Sequence, residues 1–578
     1  MNKNYHFDKI DFFSLIVAII ISSFFATILW FFCNLPVEID TDELLKQQNE
    51  RLILNSVSFA PFRRDQSPLI KKYPTSMQIE EDLCKLAEFT RGIRTYTSRE
   101  GMEIVPKFAK KYGMKVIFSA WLGTKLNTNE LEIEALIKAA NTHSTTIERV
   151  IVGNEVLLRG DLKVDQLISY IRRIKAAIKQ PVSYADVWAF YLKYPEVGRE
   201  VDYITIHILP FWENKPIAIE DTEEHFLKII DLIRKTFPDK KILIGETGWP
   251  SFGRNRGASI VSTINEARFI RYVAAIAKRH GFDYNIVEAF DQPWKVALEG
   301  TVGSSWGIFD VDRKAKFEMK GPVVEIANWS LRACWSISIG IMLGLIFGLN
   351  VSSFVGKLSI ATISQILSWL MVTTIFHVEA CSFYWWQNIL AIFRCGISVV
   401  ITMVSIAYCA NFLVNKNVIF INYVYSNLIR FIGWYAIAWN ILLIFDGRYR
   451  DIPVIDFSVP VVGLVHMFIL HSFFRYRQEK SILNVFACGN LFNNNTTLRH
   501  TICLGVCLLL SAVMVIISEG LVVTDELIDP LALGNRIFWI FNREMNLWSI
   551  MILILAIPYV SSSILRRRAR LVLGKTSY

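Results

Sequence analysis

Two glutamates stand in closely similar contexts, each within two residues of a glycine at the end of an apolar run. Glu155 lies near the end of the run 149–156 (RVIVGNEV), and Glu246 follows the run 241–245 (KILIG). Two facing carboxylates can break a glycosidic bond, because one protonates the leaving oxygen while the other attacks the sugar or activates water. One such glutamate alone would be weak support, since structural carboxylates are common. The pair predicts that Glu155 and Glu246 are catalytic.

The charges of the 578-residue chain are unevenly distributed, although 53% of its residues are hydrophobic and its mean hydropathy is +0.35. Residues 37–325 carry acids and bases at the density of a globular domain, whereas both flanking regions consist largely of apolar runs. Such a composition excludes a disordered chain, a collagen and a coiled coil. It predicts four parts: a transmembrane anchor at 1–33, a stalk at 34–51, a soluble domain at 52–328 and a helical membrane bundle at 329–578.

The soluble domain contains eight short apolar runs that alternate with amphipathic helical stretches, which is the pattern of a parallel sheet closed by crossover helices. The eight runs lie at 53–62, 92–96, 115–122, 149–156, 181–187, 201–210, 241–250 and 284–294. Eight units in fewer than 300 residues fit a (β/α)₈ TIM barrel. The predicted fold class is therefore α/β, with a TIM barrel flanked by one N-terminal and about seven C-terminal transmembrane helices.

Chemistry in a TIM barrel sits at the carboxyl ends of the strands, so polar and aromatic residues there are candidates for the site. The predicted strand ends carry Arg94, Trp121, Asn154, Glu155, Asp186, Trp188, His207, Glu246, Trp249, Glu288, Asp291 and Gln292. They include no metal-ligand trio, and no glycine-rich phosphate loop follows a strand. We therefore expect no metal and no cofactor.

Five separated motifs in one order resemble glycoside hydrolase family 17, the β-1,3-glucanase and β-glucan transglycosylase group. They are 58–68 (SFAPFRRDQSP), 152–155 (VGNE), 245–251 (GETGWPS), 288–295 (EAFDQPWK) and 306–310 (WGIFD). The resemblance covers roughly residues 56–316. It implies that Glu155 is the general acid/base and Glu246 the nucleophile. One departure is Gln292, where many members of the family place a glutamate, and the chain resembles a bacterial membrane-linked form.

Further residues are expected to bind the substrate. Asn154 can hydrogen-bond the sugar 2-hydroxyl, a contact that strengthens in the transition state. His207 can orient a carboxylate or a sugar hydroxyl, or it can be a packed structural residue. Arg94 and Tyr96 can bind sugar hydroxyls or position a glutamate, and Asp291 joins this group. The candidate sugar-stacking platforms, some of which can instead be core residues, are Trp121, Trp188, Trp212, Trp249 and Trp294.

Eight apolar stretches are long enough to cross about 30 Å of hydrocarbon as helices. They run at 12–32, 334–354, 358–378, 389–414, 418–445, 452–473, 502–522 and 547–565. The first could be a signal peptide, but its length and the lack of a small-residue cleavage site favour an uncleaved anchor. Two arginines within spans, Arg394 and Arg430, either mark a polar path or snorkel and pair inside a structural bundle.

The basic residues beside the spans predict the orientation, because cytoplasmic loops are enriched in Lys and Arg. With a cytoplasmic N-terminus, the inner side receives Lys357, Lys416, Arg475, Arg477, Lys480, Arg499 and the tail at 566–570. The outer loops carry no excess of Lys and Arg. The soluble domain is then outside the cytoplasm, in the periplasm of a bacterium. The net charge of +10 arises largely at membrane edges, so no nucleic-acid partner is expected.

Three classes of function remain open. The first is a membrane-anchored β-glucan enzyme, for which transglycosylation is favoured over plain hydrolysis because a degradative glucanase needs no membrane bundle. The second is an accessory protein for glucan export or synthesis, which the short inner loops make less suitable for synthesis on its own. The third is a catalytically silent glucan-binding module. The expected partners are a β-glucan, the lipid bilayer and a separate glucan synthase.

Overall fold

The computed structural model describes residues 9–39, 52–415, 419–446, 449–479, 481–488, 497–522 and 542–575. The chain divides into two compact units, one formed by Pro36–Glu325 and the other by Met1–Leu35 together with Ile326–Tyr578. Most of the predicted stalk, at 40–51, lies outside the described residues. So do Lys416 and Lys480 of the orientation argument.

The first unit contains a closed barrel of eight parallel strands in the order of the sequence, which confirms the predicted TIM barrel. Its strands are β1 Val57–Ser58, β2 Gly92–Arg94, β3 Lys115–Ala120, β4 Ile147–Asn154, β5 Val182–Val187, β6 Ile204–His207, β7 Ile242–Thr247 and β8 Asp283–Ile286. Several strands are shorter than predicted. After β8, for example, the N–H of Glu288 donates to Trp306 and that of Asp291 to Phe309, so backbone pairing continues outside the barrel ladder.

Helices of the barrel pack their apolar faces on the strands. With the N-terminal helix α1 (Lys9–Cys33) counted first, the α-helices of this unit are α2 Ser76–Leu86, α3 Val105–Lys111, α4 Leu126–Thr142, α5 Val164–Ala177, α6 Trp188–Lys193, α7 Pro195–Glu200, α8 Thr222–Thr236, α9 Thr263–His280 and α10 Val296–Gly303. In α8 the buried residues Phe226, Ile229, Ile230 and Ile233 recur at helical spacing. This burial fixes the strand ends and therefore the loops that follow them.

The two ends of the barrel unit are joined to each other. Val37 and Val323 exchange two backbone hydrogen bonds of 2.9 Å. Two residues further on, the carboxylate of Glu325 accepts from the Ser262 hydroxyl and from the backbone N–H of Thr263 at the first turn of α9. A carboxylate is favourable at the N-terminus of a helix. Since α9 begins after β7, this contact lies at the end of the barrel that carries Glu246.

The second unit is helical. Besides α1 it contains α11 Trp329–Gly348, α12 Phe354–Ala380, α13 Trp385–Leu413, α14 Ile419–Asp446, α15 Val454–Glu479, α16 Ile482–Phe486, α17 Leu498–Val522 and α18 Arg543–Lys575. Within the described residues, eight helices are long and apolar enough to cross a membrane, and each coincides with a predicted span. The second span ends earlier than predicted, at Gly348, because Ser353 caps the start of α12.

Polar contacts occur inside this helical unit. Lys357 on α12 is almost fully buried and lies 2.9 Å from Asp11 at the start of α1. Arg394 on α13 is paired with Asp456 on α15, with nitrogen to oxygen distances of 2.6 and 3.2 Å. Arg430 donates to the backbone oxygen of Ser426 on its own helix. Of the two interpretations of Arg394, pairing within the bundle is therefore the one that its contacts fit.

Candidate active site

Glu155, His207 and Glu246 meet at the mouth of the barrel. The Nδ1 atom of His207 lies 2.9 Å from Glu155 Oε1, and its Nε2 atom lies 3.7 Å from Glu246 Oε1. One ligand-type atom from each residue falls within 4.8 Å of the other two. The register of β6 and β7 aligns His207 with Glu246, so the sheet itself fixes part of this geometry. The structure thus brings together both predicted catalytic residues and His207.

The chain bends sharply after β4 to present Glu155. Gly153 has a φ of +85° and Glu155 itself a φ of +51°, and the Glu155 N–H donates to Ala185 at 2.8 Å. A Cβ at position 153 would approach the Val156 side chain to 2.7 Å. Glycine is therefore required at 153 for both its positive φ and its lack of a side chain. The bend places the Glu155 carboxylate beside His207.

Arg94 contacts protein groups next to both glutamates. Its side chain is fully buried, and it donates to Asn154 Oδ1 at 2.5 Å and to the backbone oxygen of Gly245 at 2.7 Å. Its Nη1 atom also lies 3.4 Å from Glu246 Oε1. Because Arg94 occupies the amide oxygen of Asn154, the amide NH₂ is the group that can donate to a sugar hydroxyl. Of the two predicted roles of Arg94, the structure supports the positioning of a glutamate.

Tyr96 lies beside this network. Its hydroxyl is 2.8 Å from Ser58 Oγ, and the Arg94 guanidinium lies 4.9 Å from its ring centroid. Burial, followed by the negative charge of Glu246, raises the pKa of Tyr96 well above its usual value. The phenol therefore stays neutral, and it can donate a hydrogen bond at the site. Arg94 and Tyr96 thus belong to the polar groups that interact with Glu246.

The charge environment of Glu155 favours its ionised form. Burial raises the pKa of Glu155, but the hydrogen bond and positive charge of His207, with Arg159 and Arg94, outweigh burial and lower the pKa below its usual value. A general acid must be protonated at the start of the reaction. We therefore expect the free enzyme to lose activity as the pH rises from the acid range.

Replacing His207 with glutamine should move this loss of activity to higher pH. The substitution removes the positive charge next to Glu155, so the pKa of Glu155 rises, and an acid with a higher pKa stays protonated to a higher pH. The measurement is kcat/KM against pH, in which the basic limb reports the acid of the free enzyme. His280→Gln, a remote His that contacts Glu223, is the matched control. A basic limb that stays in place or moves to lower pH would contradict the assignment.

Other acidic groups surround the pair. Burial raises the pKa of Asp186 to about 6 and that of Glu288 to about 7. Glu288 is 2.7 Å from Lys295, and burial also raises the pKa of Glu299, which interacts electrostatically with Lys295 and with both candidate catalytic glutamates. A carboxyl group with a raised pKa stays protonated, and therefore neutral, to a higher pH. The three raised pKa values thus reduce the negative charge around Glu246. Sequence reasoning missed Glu299 because it stands on α10, in a segment without a strand-end position.

Arg159 is a second residue that sequence reasoning missed. It follows Glu155 by four residues and donates to the backbone oxygens of Asn154 and Leu122, the latter at 3.0 Å. Its guanidinium also lies 4.5 Å from the ring centroid of Trp121. Arg159 therefore connects the loop of Glu155 with an aromatic residue of the neighbouring strand end. The signal that could have identified it is a basic residue four positions after the glutamate of the VGNE motif.

The predicted aromatic platforms differ in their exposure. Trp121 is 42% exposed, whereas Trp249 is fully buried and donates through Nε1 to Ile260. Trp294 is half-buried, and its Nε1 donates to Gln292 Oε1 at 2.8 Å. Trp188 is also half-buried and is held by Glu213 at 3.1 Å. The burial of Trp249 among aromatic core residues argues against its predicted role in sugar stacking.

Asp291 and Gln292 serve the loop after β8. Asp291 accepts from Lys316 Nζ at 3.0 Å and from the Gly307 N–H at 2.9 Å. Gln292 is buried and donates to the backbone oxygens of Ala60 and Phe290. The carboxylate of Asp291 is thus occupied by protein groups, which is unlike the sugar contact predicted for it. Its placement is that of a loop-stabilising residue.

Opposite effects are expected from two tryptophan substitutions. Trp249→Ala should lower the free energy of unfolding of the barrel by about 3 to 5 kcal/mol, because it removes a fully buried aromatic side chain. Trp121→Ala should leave stability nearly unchanged and raise KM. Pulse proteolysis in urea and steady-state kinetics on the full-length protein measure the two effects. Equal loss of stability in both variants would show that Trp121 is also a core residue.

Within the described residues, Glu155, His207 and Glu246 form the group whose donor atoms lie close enough together to hold a metal ion. The Arg94 guanidinium already supplies a positive charge 3.4 Å from Glu246 Oε1. A bound cation would have to share this carboxylate with the arginine. The arrangement fits chemistry carried by two carboxylates and an imidazole better than a metal centre.

Comparison with known proteins gives matches to the barrel unit. Residues 56–307 match the family described as the BtgE/BtgC glycoside hydrolase domain. A glucan 1,3-β-glucosidase of Arthroderma benhamiae is 28% identical over 257 residues, covering 41% of this chain and 82% of that protein. A probable glucan endo-1,3-β-glucosidase, btgC, of Aspergillus clavatus is 30% identical over 288 residues, covering 44% of this chain but only 41% of that protein. This chain therefore spans less than half the length of that second relative.

Among solved structures, a glycoside hydrolase family 17 β-1,3-glucanosyltransferase of Rhizomucor miehei is 26% identical. The alignment covers 46% of this chain and 95% of that chain, with a TM-score of 0.41.

A closed barrel that carries two glutamates at the ends of β4 and β7 defines the class of the first unit, a barrel glycoside hydrolase. Within that class, the barrel unit is similar to the family 17-like β-1,3-glucanases, as the sequence motifs indicated. The bacterial form suggested by the sequence stays a prediction.

Proposed function

We propose that the protein is a retaining β-glucan enzyme that cleaves β-1,3-glucan and transfers the released glycosyl unit to another glucan. The observation that carries the proposal is the approach of Glu155 and Glu246, whose oxygens lie within 4.8 Å of each other across His207. Retaining enzymes place their carboxyl groups about 5 to 5.5 Å apart, whereas inverting enzymes leave about 6.5 to 9.5 Å for a water. The short separation favours retention, and the names of the relatives favour β-1,3-glucan.

The first step forms a covalent intermediate. Glu246 attacks the anomeric carbon while Glu155 gives its proton to the glycosidic oxygen, so the C–O bond to the leaving sugar breaks and an ester forms on Glu246. Arg94 fixes the positions of the Glu246 carboxylate and the Asn154 amide relative to each other, which allows Asn154 to contact the sugar 2-hydroxyl. In the second step, Glu155 as a carboxylate takes a proton from the incoming hydroxyl, whose oxygen bonds to the anomeric carbon as the ester bond breaks and the Glu246 carboxylate is released.

The second step decides between transfer and hydrolysis. An acceptor sugar competes with water only when it is held next to the ester, because orientation raises its effective concentration. The exposed Trp121, which Arg159 holds beside the Glu155 loop, is suited to bind such a sugar. Plain β-1,3-glucan hydrolysis is the alternative function.

Product analysis separates these two functions. The full-length protein in detergent is incubated with reduced laminari-oligosaccharides, and the products are read by mass spectrometry with linkage analysis. Products longer than the substrate, absent with Glu246→Gln, support transfer and reveal which linkage is made, including β-1,6 links. Shorter products alone would establish the hydrolase, and no turnover would direct attention to another glycan.

The eight apolar helices are proposed to anchor this barrel in a bacterial inner membrane, with the barrel on the periplasmic side. The distribution of Lys and Arg beside the spans supports this orientation. An enzyme held there could remodel glucan that a separate synthase exports. Cys84 on the barrel is exposed, so a membrane-impermeant maleimide should label it in intact spheroplasts. Labelling only after lysis, with Cys84→Ser as the control for other thiols, would place the barrel in the cytoplasm.

A further inference from the structure

One face of α13 presents a polar residue at nearly every turn to the interface with α15. Arg394, Ser398, Thr402 and Ser405 follow one another at spacings of three or four residues, which places them on one side of the helix. All three hydroxyl-bearing residues are buried. We name this face, together with Asp456 and His471 of α15, the α13–α15 polar seam.

Contacts along both helices show that this face lies against α15. Arg394 is paired with Asp456 near the start of α15. Further along, Ser405 Oγ lies 3.0 Å from the point where a side chain at Gly463 would begin. At the far end, the ring of Phe412 packs on that of His471, with centroids 4.3 Å apart. Ser398 and Thr402 stand between the first two of these contacts on the same face.

The polar seam contains buried hydroxyls without a hydrogen-bond partner, a property that Ser364, Ser368 and Ser562 of the described residues share. The hydroxyl oxygens of Ser398 and Thr402 are buried, and within the described part of the chain they have no hydrogen-bond partner, whereas the Ser405 hydroxyl lies beside the Tyr425 hydroxyl of α14. By contrast, Ser549 and Ser563 on α18 donate to the carbonyl four residues earlier. Such back-bonding is the usual way in which a helix satisfies a buried Ser or Thr. Close packing by small residues explains the small size of the seam residues, but it does not explain unsatisfied hydroxyls.

Titratable groups stand at both ends of the polar seam. Asp456 is the acid at one end, where His377 of α12 and Tyr435 of α14 also interact with the Arg394–Asp456 pair. The imidazole of His471 is buried at the other end. Asp456 and His471 are 15 positions apart, or about 22 Å along the helix, which is a large part of a hydrocarbon core of about 30 Å.

We propose that the α13–α15 polar seam conducts protons across the bundle, with water as the ligand between its hydroxyls. Asp456 and His471 exchange protons with the two sides. Each hydroxyl or water accepts one proton as it gives one up, so no bond order or charge changes between the ends. Water is needed because successive hydroxyls are about 4.5 to 6 Å apart along α13, and because about 12 Å of α15 separates Gly463, which lies beside Ser405, from His471. The inference rests on the proposal that these helices cross a membrane.

Proton flux through the reconstituted full-length protein tests the proposal. Liposomes containing a pH-sensitive dye are given a potassium gradient, and valinomycin starts the flux. Wild type should change the internal pH about fivefold faster than protein-free liposomes, and Ser398→Ala and Thr402→Val should return the rate to that background. Ser563→Ala removes a back-bonded hydroxyl on α18 and is the matched control, so it should keep the wild-type rate.

Glucan turnover of the same samples distinguishes the two proposals. Both seam variants should retain the wild-type rate on laminari-oligosaccharides, because they lie outside the barrel unit. A wild-type flux equal to that of protein-free liposomes would overturn the proton path, whatever the barrel does. So would a flux that Ser398→Ala and Thr402→Val leave unchanged while a protonophore control responds normally.

Discussion

Glu246→Gln should reduce turnover of laminari-oligosaccharides by roughly four to five orders of magnitude. Glutamine keeps the shape of the side chain and its contact with Arg94 Nη1, but its amide oxygen is too weak a nucleophile to form the glycosyl-enzyme. The full-length protein in detergent is assayed for loss of substrate and for all products. Because one ester is required for both outcomes, hydrolysis and transfer should disappear together.

The matched control for this loss is Glu103→Gln. Glu103 is an exposed glutamate in the loop region after β2, where its carboxylate accepts the Gly101 N–H. It is expected to leave turnover within about twofold of wild type, as is usual for a surface change. Persistent turnover by Glu246→Gln, or equal losses in the two variants, would remove Glu246 from the role of nucleophile. An unchanged melting temperature of Glu246→Gln excludes misfolding as the cause of lost activity.

The positions of the two glutamates could be predicted because they depend on local sequence. Glu155 directly follows the buried strand β4 and Glu246 lies near the end of the buried strand β7, and in a parallel barrel the carboxyl ends of all strands face the same mouth. The eight apolar runs therefore identified both the fold and the place of Glu155 and Glu246 within it. Predicted spans in the helical unit rest on an equally local property, the length of an apolar run.

The role of Arg94 could not be predicted in this way. Its side chain leaves β2, and its partners are Asn154 at the end of β4 and Gly245 on β7. A Cβ at position 245 would lie 2.5 Å from Thr205 Cγ2 and 3.2 Å from Arg94 Nη1, so the glycine leaves space for the arginine. Contacts among four strands arise only when the barrel closes. The sequence shows that Arg94 is near the mouth, but not which way it points.

For Trp249, the sequence predicted an exposed aromatic platform, whereas the structure buries the side chain in the core. Its position two residues after β7 suggested a platform at the rim. A Cβ on the preceding Gly248 would lie only 2.1 Å from the carbonyl oxygen of Val287, so the loop runs directly against β8. This close approach turns Trp249 toward the core, where it packs against Phe211 and Phe269. Distance from the strand end was readable from the sequence, whereas the direction of the turn was not.

Glu155→Ala should give a different signature, because Glu155 acts in both steps. Turnover of laminari-oligosaccharides should fall by about 10²- to 10⁴-fold, the usual range for loss of a general acid. An aryl laminarioside with a good leaving group needs little proton donation, so its first step should remain fast. The glycosyl-enzyme on Glu246 then accumulates, since no base activates the incoming water, and an initial burst of phenol should precede slow turnover.

Added azide distinguishes this retaining mechanism from inversion and from a mechanism in which another group is the acid and base. A small anion can enter the space left by the Glu155 carboxylate and attack the ester without a general base, so azide should accelerate the slow phase and yield a β-glycosyl azide. The product is identified by NMR from the configuration at its anomeric carbon. Glu103→Ala, with its carboxylate on the surface, should show neither the burst nor the adduct. An α-azide would indicate inversion, and an unaccelerated slow phase would mean that another group, with His207 as the nearest candidate, supplies the acid and base.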